Sequence, residues 1–340
     1  MRDDLMASPL LEVNRLSLQF MGQGRAHALS DLTLQVAAGE VLGLIGESGS
    51  GKSVLLRALL RLHPAATTRV QGQVRVDGED VLTMPPAALR RLRGGVVSMI
   101  FQEPGLAFDP VYTIGDQISE VVRAHTGMDR RAARQTAFNL LERVRIPQAR
   151  RRLDTYPHEL SGGMRQRAMI ALALSCQPRL LLADEPTTAL DSSVQAQILA
   201  LLADLQQESG MAVMLVTHDI AAAAAVAGRV AVMYAGRIVE SASVALLLED
   251  PRHPYSQGLL ASARATSGRA RGQALPVIAG APPDLRALPA GCAFAERCPQ
   301  AQARCHAEAP PTQEAAGRTL ACWAVDLPGA VLGADAAGPL

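Results

Sequence analysis

Eight residues, Gly46-Glu47-Ser48-Gly49-Ser50-Gly51-Lys52-Ser53, constrain this chain more than any other stretch. They follow an apolar run, Val41 to Ile45, and satisfy the pattern G-x-x-x-x-G-K-[ST] at every position. Gly46, Gly49 and Gly51 permit a tight turn in which successive N–H groups converge on an anion, and a helix starting near Lys52 would add the positive end of its dipole. Lys52 would reach the β- and γ-phosphates of a nucleoside triphosphate, and the Ser53 hydroxyl would hold Mg²⁺. The bland alternative is a glycine-rich strand-to-helix turn that binds nothing, and composition argues against it. Of the 33 Lys and Arg residues, Lys52 is the only lysine. A compact ammonium fits between phosphates where a planar guanidinium does not.

Around this loop the chain reads as alternating strands and helices. Strands are expected at Leu10 to Phe20, Leu29 to Val36, Gln71 to Val76, Val81-Leu82 and Val96 to Phe101, with a helix from Val54 to Leu62 stopped by His63-Pro64. Helices follow at Ile114 to His125, Asp129 to Val144 and Gly162 to Ser175. Strands then return at Arg179 to Ala183, Ala212 to Thr217 and Arg229 to Tyr234, separated by helices at Ser193 to Gln207 and Ile220 to Ala227. Strands and helices alternating on both sides of a helical stretch predict an α/β fold, a parallel-sheet core carrying a helical subdomain. Ala265 to Pro289 has the composition of a linker, a cysteine-bearing segment spans Cys292 to Cys322, and Pro328 to Leu340 lacks any period.

Two further stretches carry chemistry. Leu180-Leu181-Leu182-Ala183-Asp184-Glu185-Pro186 is an apolar strand ending in two acids, the place where open α/β sheets put ligands. Asp184 suits Mg²⁺, and Glu185 suits orienting and deprotonating an attacking water. Upstream, Ser161 reads as a helix N-cap, with Gly162 and Gly163 leaving the first-turn N–H groups uncovered for an anion. Leu160-Ser161-Gly162-Gly163 before a strand ending in Asp-Glu, in a chain with a phosphate loop, resembles the ATP-binding-cassette (ABC) ATPases.

That resemblance covers roughly residues 8 to 260 and implies a P-loop ABC nucleotide-binding domain with N-terminal antiparallel strands and a helical subdomain at about 104–175. A linker at 261–290, a cysteine module at 291–324 and a disordered tail at 325–340 complete the expected organisation. In family terms Gln102 matches the Gln loop, which touches Mg²⁺ and relays nucleotide state to a permease. Ala189-Leu190-Asp191 matches the loop that meets the partner subunit, His218 matches the switch histidine at the γ-phosphate, and Phe20 is the candidate for stacking on adenine. The family covers the γ-phosphate with Ser161 and Gly163 of a second, head-to-tail subunit, so one chain needs a copy of itself or a paralogue.

Local wording narrows the branch. Ile100-Phe101-Gln102-Glu103-Pro104, Tyr156-Pro157-His158-Glu159-Leu160 and His253-Pro254-Tyr255 resemble the dipeptide/oligopeptide importer ATPases. The implied role is the energising subunit, at the cytoplasmic face of the membrane, of a separate integral membrane permease, served indirectly by an extracytoplasmic solute-binding protein. Nickel or glutathione importers, or a soluble redox-responsive ABC ATPase, are the alternatives.

Cys292, Cys298, Cys305 and Cys322 are separated by five, six and sixteen residues, which is not the paired short spacing of zinc sites. Resemblance to the peptide-importer extension implies a [4Fe–4S] cluster, with Zn²⁺ or four unligated thiols as alternatives. A net charge of +1 gives no electrostatic case for nucleic acid, and no stretch reaches the roughly 18 to 20 apolar residues that span a bilayer. The start, Met1-Arg2-Asp3-Asp4-Leu5, does not read as a secretory signal.

Overall fold

The computed structural model describes residues 8–22, 24–188, 190–265 and 276–332. The expectations placed on Met1 to Leu5, on Ala189, on 266–275 of the linker and on 333–340 of the tail lie outside them. The chain divides into two compact units: Met1–Leu11, Val36–Val41 and Val76–Val216 form one, and Glu12–Gln35, Leu42–Arg75 and Thr217–Leu340 the other.

In the first unit the strands Val97–Ile100, Leu180–Asp184 and Ala212–Thr217 run parallel, with Leu180–Asp184 in the middle. Ile100 stands opposite Ala183, and Ala183 opposite Leu215. All three are buried along their whole length, which is why each reads as a mostly apolar run rather than an alternation. Phe101, expected to belong to the first of them, lies beyond its end and is 37% exposed. Helices Ile114–Thr126 and Arg130–Arg143 pack on each other through a stripe that includes Ile118, Val122, Ala133, Ala137 and Leu141. The longer helices begin at Thr113, Asp129, Ser161 and Asp191, whose side chains accept from the N–H groups of Asp116, Ala132, Met164 and Val194. These caps satisfy donors that the first turn leaves unpaired.

In the second unit Val41–Ile45 pairs in parallel with Arg229–Tyr234, Leu44 opposite Ala231. Arg229–Tyr234 turns at Ala235 and Gly236 and pairs antiparallel with Arg237–Ser243. The antiparallel run continues through Arg318–Leu320, Gln313–Ala315 and Val331–Leu332. A separate sheet holds Leu11–Phe20 between Ala26–Val36 and Thr68–Val76. Beyond Arg237 the sequence reading found no further strand or helix, whereas the chain adds the strand Arg237–Ser243 and helices Val244–Glu249 and Pro254–Ala265.

The strand extension is locked by a buried ion pair, Arg318 to Glu240, with side-chain exposures of 4% and 0%. Glu240 also accepts from the N–H groups of Arg252 and His253 at 2.9 Å each. A buried carboxylate is tolerable only when its lone pairs are filled in this way. No helix among the described residues is long and apolar enough to cross a membrane.

Candidate nucleotide site

The phosphate loop leaves the buried strand Val41–Ile45 and enters the helix Lys52–Leu59 at a left-handed Gly51. A Cβ on Gly51 would lie 2.6 Å from the Ala28 carbonyl oxygen, and one on Gly46 only 2.2 Å from that of Met233. Both glycines are therefore demanded by close backbone approach as well as by the turn. The Lys52 side chain is 5% exposed, and its Nζ donates to the carbonyl oxygens of Gly46 at 2.8 Å and Glu47 at 2.9 Å. The ammonium is thus held over the concave side of its own loop. Ser48 and Gly49 at the crest are exposed, Ser50 is buried, and Ser53 is half-buried in the first helical turn.

The loop is braced from far along the chain. Tyr255 Oη accepts from the Glu47 N–H at 2.8 Å, and the Glu47 carboxylate receives two bonds from Arg297, at 2.8 and 3.0 Å. Tyr255 is fully buried against Tyr234 and Phe294, with ring centroids 4.6 and 5.4 Å away. His253, 1% exposed, accepts from the Tyr255 N–H at 3.0 Å, and burial lowers its pKa to about 3, so the ring is neutral at physiological pH. Sequence reading singled out His253-Pro254-Tyr255 only as a resemblance; its physical role here is to seat the tyrosine that holds Glu47. Arg297 and Tyr234 were missed, because a contact spanning 250 residues leaves no periodic trace.

Within the first unit Asp184 ends its strand at 1% exposure, a hard oxygen donor of the kind Mg²⁺ takes. Glu185 follows in a left-handed conformation, φ 45°, uncommon for a residue with a Cβ. Its carboxylate accepts from Thr188 Oγ1 at 2.7 Å and from Gln102 Nε2 at 3.4 Å. The structure therefore brings together Gln102 and Glu185, two residues 83 apart that the sequence assigned to one reaction centre. Ser161 and Gly162 are exposed at the start of helix Gly162–Ala173, with the Ser161 cap bond at 3.4 Å. Asp191 is exposed and caps Ser192–Ser209; its hydrogen bond from Ser193, then that from the Val194 N–H, lowers its pKa.

In the second unit, His218 is exposed directly after strand Ala212–Thr217. Phe20 ends its strand half-exposed, its ring edge-on to His63 at 5.6 Å. A cleft of about 520 Å³ lined by Gly39, Arg143, Pro178 and Met211 contains none of the sequence-predicted residues.

Cys292, Cys298, Cys305 and Cys322 do share one lobe, and the Cys292 N–H donates to the Cys305 carbonyl at 2.7 Å. Yet among the described residues no group of three or more His, Cys, Asp or Glu is placed to hold a metal ion. Burial raises the pKa of Cys292 and Cys298 and takes that of Cys322 up to about 11, and the neighbouring thiols of the lobe push each of them the same way. A [4Fe–4S] cluster or Zn²⁺ thus finds no support among the described residues. The fifth cysteine, Cys176, is half-buried, with its sulfur 3.9 Å from the Val121 carbonyl oxygen.

Comparison with known proteins gives the family. Residues 29–188 match the ABC transporter family, and residues 239–305 match the oligopeptide/dipeptide transporter C-terminal region. A Brucella melitensis protein is 49% identical over 314 residues, covering 89% of this chain and 93% of that protein. A Brucella abortus protein is 46% identical over 319 residues, 94% and 96% of the two chains; both are described as "putative peptide import ATP-binding protein". Among solved structures, the dimeric ATP-binding cassette MJ0796 in a post-hydrolysis state bound to ADP and Pi superposes with a TM-score of 0.62 at 28% identity, covering 69% of this chain and 98% of its own. The cbiO1 protein of Clostridium perfringens, part of the ABC transporter complex cbiONQ, gives 0.61 at 25% identity over 72% and 92%. A phosphate loop closed over its own lysine, a strand ending in Asp-Glu beside a glutamine, and likeness along almost the whole length of these relatives lead to one conclusion: the chain belongs to the ATP-hydrolysing subunits of the ABC transporter family.

Proposed function

We propose that this chain binds and hydrolyses MgATP to energise import of di- and oligopeptides through a separate membrane permease. The observation that carries the reading is the joining, in one chain, of an ABC transporter match with an oligopeptide/dipeptide transporter C-terminal match. Relatives described as peptide import ATP-binding proteins support it along nine-tenths of their length.

In this account the loop N–H groups of Gly46 to Ser53 and the Lys52 ammonium bind the β- and γ-phosphates, and Phe20 stacks on the base. Ser53, Gln102 and Asp184 offer a hydroxyl, an amide oxygen and a carboxylate to Mg²⁺, which when bound neutralises charge on the β- and γ-phosphates. Glu185 orients the attacking water and accepts its proton, while Gln102 and Thr188 fix the carboxylate that does so. His218 meets the γ-phosphate. Ser161, Gly163 and Asp191 act on the nucleotide of a second ABC subunit, a copy or a paralogue, placed head to tail; the dimeric state of the cassette MJ0796 supports such a pairing. The complex works at the cytoplasmic face of the membrane, and an extracytoplasmic solute-binding protein delivers the solute.

Uptake of labelled di- and oligopeptides by cells lacking this chain tests the reading. Wild type is expected to restore uptake and Glu185→Gln to fail. Equal uptake in all strains removes peptides as the solute and moves nickel and glutathione to the front.

A further inference from the structure

A side chain of the C-terminal lobe reaches the phosphate loop. Arg297 lies between Phe294 and Cys298, outside every motif that defines the nucleotide site, yet its guanidinium is spread over the loop's back. It makes two bonds to the Glu47 carboxylate, at 2.8 and 3.0 Å, a third to Tyr234 Oη at 3.2 Å, and others to the carbonyls of Ile278 and Ala279 at 3.3 and 2.9 Å. The side chain is 6% exposed against 27% for Glu47. A guanidinium with its donors engaged in one fixed fork, packed beside the Tyr234 and Phe294 rings, has little freedom left to lose.

The consequence lies in the Glu47 peptide. Its N–H is held by Tyr255, its carbonyl by Lys52, and its carboxylate by Arg297. All three directions in which this loop residue could relax are therefore closed, and two of the closures come from beyond residue 250. Phosphate binding by a backbone nest depends on N–H groups already converging before the ligand arrives, since ordering them on binding subtracts from affinity.

We propose that Arg297 is a positioning residue for the nucleotide site, holding the phosphate loop in its phosphate-binding form through Glu47, so that the C-terminal lobe sets the chain's affinity for ATP. This rests on the ATP-binding reading of the loop and adds to it a determinant outside the ATPase motifs. The role differs from general support of the fold, because breaking it should act on nucleotide affinity more than on turnover or melting.

The test is titration of the full chain with MgATP, alongside steady-state ATPase kinetics and thermal melting. Arg297→Ala and Glu47→Gln are each expected to weaken ATP binding and raise KM by roughly tenfold, with kcat changed less than about twofold. Because both cut the same contact, the double variant should be no weaker than either single one. Arg297→Lys should recover only part, and Arg304→Ala, an exposed change in the same lobe, should bind as wild type does. If Arg297→Ala fails to fold, Glu47→Gln asks the same question from the loop. ATP affinity within twofold of wild type in Glu47→Gln, or single effects that add, would overturn the proposal while leaving the ATPase reading standing. Absence of MgATP binding by the wild type itself would remove both.

Discussion

Two glycine-rich turns in this chain open helices toward an anion, and they are built in opposite ways. At the phosphate loop Gly46, Ser50, Gly51 and Lys52 are buried, the lysine folds back on the loop carbonyls, and Tyr255 and Arg297 pin Glu47 from behind. At the Ser161-Gly162-Gly163 turn the serine and first glycine are exposed, and the cap bond is a long 3.4 Å. The first arrangement is pre-ordered to hold its ligand unaided. The second is presented outward, which suits a group that acts on a nucleotide held by another subunit. Similar sequence chemistry thus stands in two settings, and the difference lies in what packs behind each turn.

The largest expected effect separates binding from chemistry. Glu185→Gln should retain ATP binding and lower hydrolysis on the order of 10²–10⁴-fold, read from phosphate release and from retained labelled nucleotide on the same sample. Wild-type turnover in that variant would remove Glu185 as the base.

A second prediction concerns the support behind the phosphate loop. His253 has a folded-state pKa near 3, below its ordinary 6.5, so the unfolded chain binds the extra proton between those values. Stability should accordingly be full above about pH 6.5 and fall toward pH 3, by up to about 1.4 kcal/mol per pH unit from this group. Denaturant melts of wild type and His253→Gln across that window read the slope. An unchanged slope in the variant would mean that the ring is not buried neutral beside Tyr255.

The smallest effect is the sharpest on architecture. Tyr255→Phe removes only the hydroxyl that accepts from the Glu47 N–H, and about a threefold to tenfold loss of ATP affinity is expected from one such bond. Equal affinity would show that Glu47 is held without it.

Much of this was legible in the sequence because it is local. The phosphate loop, the cap Ser161, and the strands Val41–Ile45, Ala212–Thr217 and Arg229–Tyr234 depend on neighbours in the chain, and all stand where the residues imply. The pairing of Gln102 with Glu185 followed from family likeness and not from spacing. What stayed hidden depends on distant partners. Strand Arg237–Ser243 carries a charged Glu240 in its middle, which reads as a surface residue until Arg318 is seen beside it. Arg297 reads as one arginine among many, and only its reach to Glu47 distinguishes it. The four cysteines invite a metal by number, while how each is buried, Cys305 and Cys322 more than Cys292 and Cys298, depends on how the lobe packs.

The contrast between the two turns is tested most directly by ATP titration of the isolated chain in two variants side by side, Lys52→Ala and Ser161→Ala. The account predicts that Lys52→Ala loses affinity on the order of a hundredfold, as a buried charged partner is removed, and that Ser161→Ala binds as wild type does. With the chain held monomeric by dilution, a comparable loss in both would contradict it, since the signature turn would then be contacting the chain's own nucleotide.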